Sequence, residues 1–95
     1  MPEMRFRIRW PDGTTEACYS PSLVIKDFFA SGESYPLVDF LERSRAALNI
    51  ASERVEARYG YACSRAMAQL GRIEAVAQTF AVLPEARVTV EAFEN

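Results

Sequence analysis

The period of the apolar residues changes along this chain, and that change fixes the order of its elements. Met4, Phe6, Ile8 and Trp10 alternate with Arg5, Arg7 and Arg9, the period-2 pattern of a strand with one apolar and one charged face. From Leu37 to Phe80 the apolar positions instead recur in steps of three and four, the spacing of helix faces. Arg87 to Phe93 alternates again, with Val88, Val90 and Ala92 on one side, and reads as a last strand.

Pro11-Asp12-Gly13 supplies a turn after the first strand, and Thr14 to Tyr19 returns as the second strand of a hairpin. Two registers compete. A type I turn with a bulge at Gly13 pairs Trp10 with Thr14 and points Cys18 inward beside Phe6. A two-residue Asp12-Gly13 turn points Ala17 and Tyr19 inward instead, because a slip of one residue exchanges the two faces. Pro11 favours the type I turn and so the first register.

Ser20-Pro21-Ser22 has the form of a helix start, with Ser20 as N-cap and Pro21 at the first helical position, leading into a short helix from Leu23 to Phe29. Ala30 to Tyr35, carrying Gly32, links it to a second helix that Pro36 opens. Leu37, Phe40, Leu41, Ser44, Leu48, Ala51 and Val55 form one face of that helix, which runs to Tyr59, and Gly60 is placed to end it in a left-handed conformation. Ala66, Met67, Leu70, Ile73, Ala77 and Phe80 mark a third helix. The expected fold is α+β in the order ββαααβ, a three-stranded, mainly antiparallel sheet with two long helices packed on one face. The 95 residues, 49% of them hydrophobic, suit a single domain spanning 1–95 with one core.

The chain contains no histidine. That removes Cys/His zinc sites, Ser-His-Asp triads and Cys-His dyads together, and no motif points to a metal or other cofactor. The formal net charge is -2, and the basic residues are interspersed with acids rather than run together, which disfavours nucleic acid and anionic membrane as partners. Met4 to Trp10 alternates where a secretory signal would run apolar, and no stretch reaches spanning length, so a cytoplasmic location is expected. In that setting Cys18 and Cys63 are expected as reduced thiols.

Each candidate site has a structural reading beside the functional one. Arg5, Arg7 and Arg9 suit an anionic ligand, yet read better as a solvated sheet face balanced by Glu16 or Glu91. Ser20 and Ser22 offer hydroxyls at a helix start, where capping accounts for them as well. Cys63 and Ser64 stand near the start of the third helix, whose dipole favours a thiolate, although a buried structural thiol is the simpler reading. If the first helix climbs the sheet and the second descends, Cys18, Ser20, Ser22, Cys63 and Ser64 come together as the tentative ligand site. Gly71 costs its helix about 1 kcal/mol relative to alanine and forms a small-residue stripe with Ala68 and Ala75, read either as a tight contact with the second helix or as a homodimer seam.

Five blocks carry a resemblance that covers nearly the whole chain: Trp10-Pro11-Asp12-Gly13, Cys18-Tyr19-Ser20-Pro21-Ser22, Gly32-Glu33-Ser34-Tyr35-Pro36, Ala51-Ser52-Glu53-Arg54-Val55 and Tyr59-Gly60-Tyr61-Ala62-Cys63-Ser64. In their joint order they resemble a family of small bacterial nitrogen-starvation-response proteins. The resemblance implies a gene neighbourhood with a nitrilase, a radical-SAM protein, an acetyltransferase and a flavin-dependent oxidoreductase, and it carries no catalytic residue onto these positions. The expected function is a small accessory or interaction protein of that pathway, a homodimer that docks to a pathway enzyme or a biosynthetic intermediate. The alternatives are a small enzyme using Cys18 or Cys63 as nucleophile, and a metabolite-binding regulator using the same region.

Overall fold

A computed structural model describes residues 3–61, 64–83 and 85–94. The first hairpin joins β1 (Met4–Arg9) to β2 (Thr15–Ser20). Trp10 N–H donates to the Thr14 carbonyl and Gly13 N–H to the Trp10 carbonyl, both below 3 Å, with Gly13 at φ +89°, where only glycine avoids strain. This is the bulged type I turn that Pro11 favours. It pairs Phe6 with Cys18 and so buries the Cys18 side chain completely.

The short helix starts later than the serine-proline signal suggests. Ser20 is the last residue of β2, and α1 occupies only Ile25–Phe28, with Val24 before it and no side-chain cap. The Ser20 hydroxyl donates to the Ser22 carbonyl at 2.8 Å, and Ser22 Oγ accepts from Val24 N–H at 3.3 Å. Serine hydroxyls that bond the backbone two residues away make a turn as readily as a cap, and here the turn prevails.

The sheet has four strands, not three, in the order β2-β1-β4-β3 with every pairing antiparallel. The additional strand is β3 (Ser34–Pro36), made of the end of the expected link and the proline expected to open the second helix, and it lies on the sheet edge against β4 (Arg87–Glu94). An edge tolerates Pro36, which has no N–H to give, and a residue before proline is held extended, which suits Tyr35. The next backbone donor, Leu37 N–H, reaches the Ala86 carbonyl at 3.0 Å.

In β4 the pairing shifts between Ile8, opposite Val90, and Arg7, opposite Ala92. Glu91 is the extra residue of a bulge, and it turns the strand by one face. Val88 and Val90 point inward as expected, but Ala92 joins the outer face and Phe93, opposite Phe6, packs against the core in its place.

Two long helices cover the inner face, α2 (Leu37–Tyr59) and α3 (Ser64–Thr79). Gly60 ends α2 at φ +83°, its N–H bonded to the Glu56 carbonyl, the left-handed stop that its position announces. Phe40, Leu48, Leu70 and Ile73 from the helices meet Phe6, Ile8, Val88 and Val90 from the sheet. Ser44 is fully buried in this apolar layer, its hydroxyl without a hydrogen-bond partner.

Candidate functional site

Cys18 faces the helices from the sheet interior. Burial pushes its thiol well above the ordinary range, the Glu16 carboxylate adds to the rise, and Arg72 opposes it weakly. A sulfur held protonated and out of water is a poor nucleophile. Ser20 and Ser22 are also buried, and Ser22 Oγ takes a further hydrogen bond from Arg54 Nη1 at 3.1 Å. The serine turn therefore ties the end of β2 to the second half of α2. Ser64 is exposed at the first residue of α3, and Cys63 lies outside the described residues. The structure thus brings Cys18, Ser20 and Ser22 to one end of β2, with both serine hydroxyls already engaged in the turn.

The small-residue stripe faces outward. Ala68, Gly71 and Ala75 are exposed, and a Cβ added at Gly71 meets nothing within 4 Å, so no close approach to α2 accounts for the glycine. Gly71→Ala is expected to raise stability by about 1 kcal/mol, through helix propensity alone. A higher urea midpoint with an unchanged slope is the check.

On the outer sheet face Arg9 meets Glu91 at 2.8 Å and Arg7 meets Glu94 at 3.5 Å, exposed pairs each worth about 1 kcal/mol or less. Glu16 is not among these partners. It lies opposite Ile8, on the inner face, where it accepts from the Trp10 indole and lies 3.5 Å from Arg72 Nε. The β2 edge is protected by α3: Gln69 Oε1 accepts the Tyr19 N–H at 2.9 Å, and the Arg65 guanidinium stacks 3.9 Å from the Tyr19 ring centre.

A groove of about 550 Å³ lies between the first turns of α2 and the last turns of α3. Leu37, Val38 and Leu41 form one wall and Ala77, Ala81 and Leu83 much of the other. Arg45 on α2 and Glu74 on α3, 2.8 Å apart, close one end. Val38 is 68%, Val82 86% and Leu83 49% exposed at or beside it, a concentration of large aliphatic side chains that a monomer surface seldom carries without use. No motif in the sequence marks this surface. Its signal was Val38, off the buried stripe of its helix, and the Val82-Leu83 pair outside every element. Among the described residues no group of three or more His, Cys, Asp or Glu side chains is placed to hold a metal ion, and no helix is long and apolar enough to cross a membrane.

The model of one protein family, described as nitrogen starvation-induced protein NitG, matches residues 5–93. The chain belongs to the NitG family. The match takes in all but the first residue of β1 and the last of β4, so the groove and the serine turn both lie within the matched part of the chain. Neither the curated proteins nor the solved structures contain a match to the chain.

Proposed function

We propose that this NitG-family chain is a bacterial, cytoplasmic accessory protein of a nitrogen-starvation-responsive, nitrilase-associated pathway, and that it acts by binding, as a homodimer that docks to a pathway enzyme. The observation that carries this reading is the groove between α2 and α3 with its exposed aliphatic rim, since apolar surface left in water gains most from a protein partner. The burial of Cys18 and the engagement of Ser20 and Ser22 within the fold support recognition over thiol chemistry. The expected result is that the tagged chain, drawn from nitrogen-starved cells, brings the nitrilase or another product of the neighbouring genes with it. Capture of none of them counts against docking. Catalytic conversion of a nitrile or amide by the purified chain, lost on removing either cysteine, would replace recognition with enzymology.

A further inference from the structure

We infer that the open edge of β2 is a second interaction surface, which takes a short extended segment of another polypeptide as a fifth strand on the four-stranded sheet. This surface is separate from the groove, and the inference stands whether or not the groove docks an enzyme. The hairpin fixes which backbone groups the edge presents. Trp10 N–H donates to the Thr14 carbonyl, and in an antiparallel ladder bonded pairs alternate with unbonded ones. Glu16, Cys18 and Ser20, opposite Ile8, Phe6 and Met4, therefore bond to β1, and Thr15, Ala17 and Tyr19 turn their N–H and C=O groups outward. Tyr19 N–H bears out this phase, since it reaches Gln69 Oε1 on α3 at 2.9 Å. The backbone of Thr15 and Ala17 meets no such partner among the described residues, and both residues are exposed. Thus α3 protects the edge at Tyr19 and leaves the other outward positions open.

The other edge of the sheet is closed by contrast. On β3, Pro36 has no N–H to offer, and the Ser34 carbonyl and hydroxyl both accept from Arg87 at 3.0 Å. β2 carries no proline, lysine or bulge to blunt it. Its one charge, Glu16, turns to the inner face, where the Trp10 indole and Arg72 take it up. Thr15 and Ala17 put only small side chains on the outer face, so an added strand can approach to the ladder spacing of about 4.8 Å.

The pattern of donors and acceptors names the occupant. Thr15 and Ala17 each present one N–H and one C=O, and the two sets lie roughly 6.8 Å apart along the strand. The phosphates of a nucleic acid or a lipid surface accept hydrogen bonds and donate none, so they leave both carbonyls unanswered. An extended main chain answers every group, which is how strand addition gains its affinity. A second copy does so only with the pairing centred on Glu16, which sets two Glu16 side chains directly opposite each other, and like charges in that position are destabilising. The occupant is therefore a segment of a different protein, with no proline at the positions it pairs.

The probe is a phage-displayed library of random peptides selected on the full chain. Selected peptides, made synthetically, are expected to slow amide exchange at Thr15 and Ala17 by roughly tenfold or more. Methylating alternate backbone nitrogens of such a peptide is expected to abolish binding in one phase and spare it in the other, a signature that side-chain docking in the groove does not produce. Ala17→Pro removes one outward donor and leaves the β1 ladder intact, at a place where an edge strand accepts proline. It is expected to weaken peptide binding by roughly tenfold or more with circular dichroism unchanged, whereas Val38→Asp in the groove leaves binding as it was. A library that yields no binder, peptides that leave both amides exchanging freely, or binding indifferent to the phase of methylation overturns the inference. These readings come from the wild-type chain, so they decide the matter even where Ala17→Pro does not fold. Amides at Thr15 and Ala17 that gain protection in the free chain as its concentration rises place a second copy on the edge and likewise overturn it.

Discussion

Trp10→Ala is expected to lower the unfolding free energy by about 3–5 kcal/mol, out of a total on the order of 5–15 kcal/mol for a domain of this kind. Trp10 is 3% exposed at the junction of hairpin, α2 and the end of α3. Its ring stacks on Phe80 at 6.0 Å and meets Phe40 edge-on at 5.7 Å, contacts that add to the burial of its area. Its indole N–H donates to Glu16, the carboxylate that also faces Arg72. Alanine removes the ring and leaves a cavity, and it deprives a part-buried carboxylate of one donor. Trp10→Phe keeps one ring in place and gives up the hydrogen bond and part of the indole's volume, so its cost should be smaller, about 1–3 kcal/mol. Urea melts followed by circular dichroism separate the two, since the tryptophan is the natural fluorophore. Equal losses would mean that the Glu16 bond, not packing, is the stabilising contact.

The parts of this fold that were legible in the sequence are those whose physics is local. Alternation at Met4 to Trp10 placed one buried face correctly because a strand's side chains have no other option, and Gly60 marked the end of α2 because a left-handed residue there favours glycine. The misses come from long-range pairing. Ser34–Pro36 is a strand only because β4 lies beside it, and three residues ending in proline carry little propensity of their own. The Glu91 bulge, which turns Phe93 inward and Ala92 outward, is set by the partner register on β1 and leaves no local mark. Of the tentative site, the burial of Cys18 followed from Pro11 and the hairpin register. The serine turn did not follow, since Ser-Pro-Ser satisfies a cap and a turn equally well. The groove was illegible because it consists of residues that α2 and α3 fail to bury, a property of their packing and not of either helix alone.

Burial of Cys18 has a consequence for stability at alkaline pH. In the unfolded chain its thiol ionises near pH 8.5, whereas in the folded chain desolvation, with Glu16 adding to it, holds the proton on to much higher pH. Below about pH 8.5 both states carry the proton and the group has no effect on the equilibrium. Above it the unfolded chain binds fewer protons than the folded one, so the unfolding free energy falls as pH rises, by about 1.4 kcal/mol per pH unit. Cys18→Ala removes this slope at the cost of a small cavity. The expected result is that wild type, more stable near pH 7, loses ground to Cys18→Ala between about pH 8.5 and 10. The rest of the chain is common to both proteins, so the difference isolates Cys18. Alkylation gives an independent reading: Cys18 should react only through opening of the fold, on the order of a thousandfold or more slower than in urea. A Cys18 alkylated in the native state as fast as in urea, with urea midpoints of the two proteins parallel in pH, would show that the sulfur reaches water and would return it to the set of working nucleophiles.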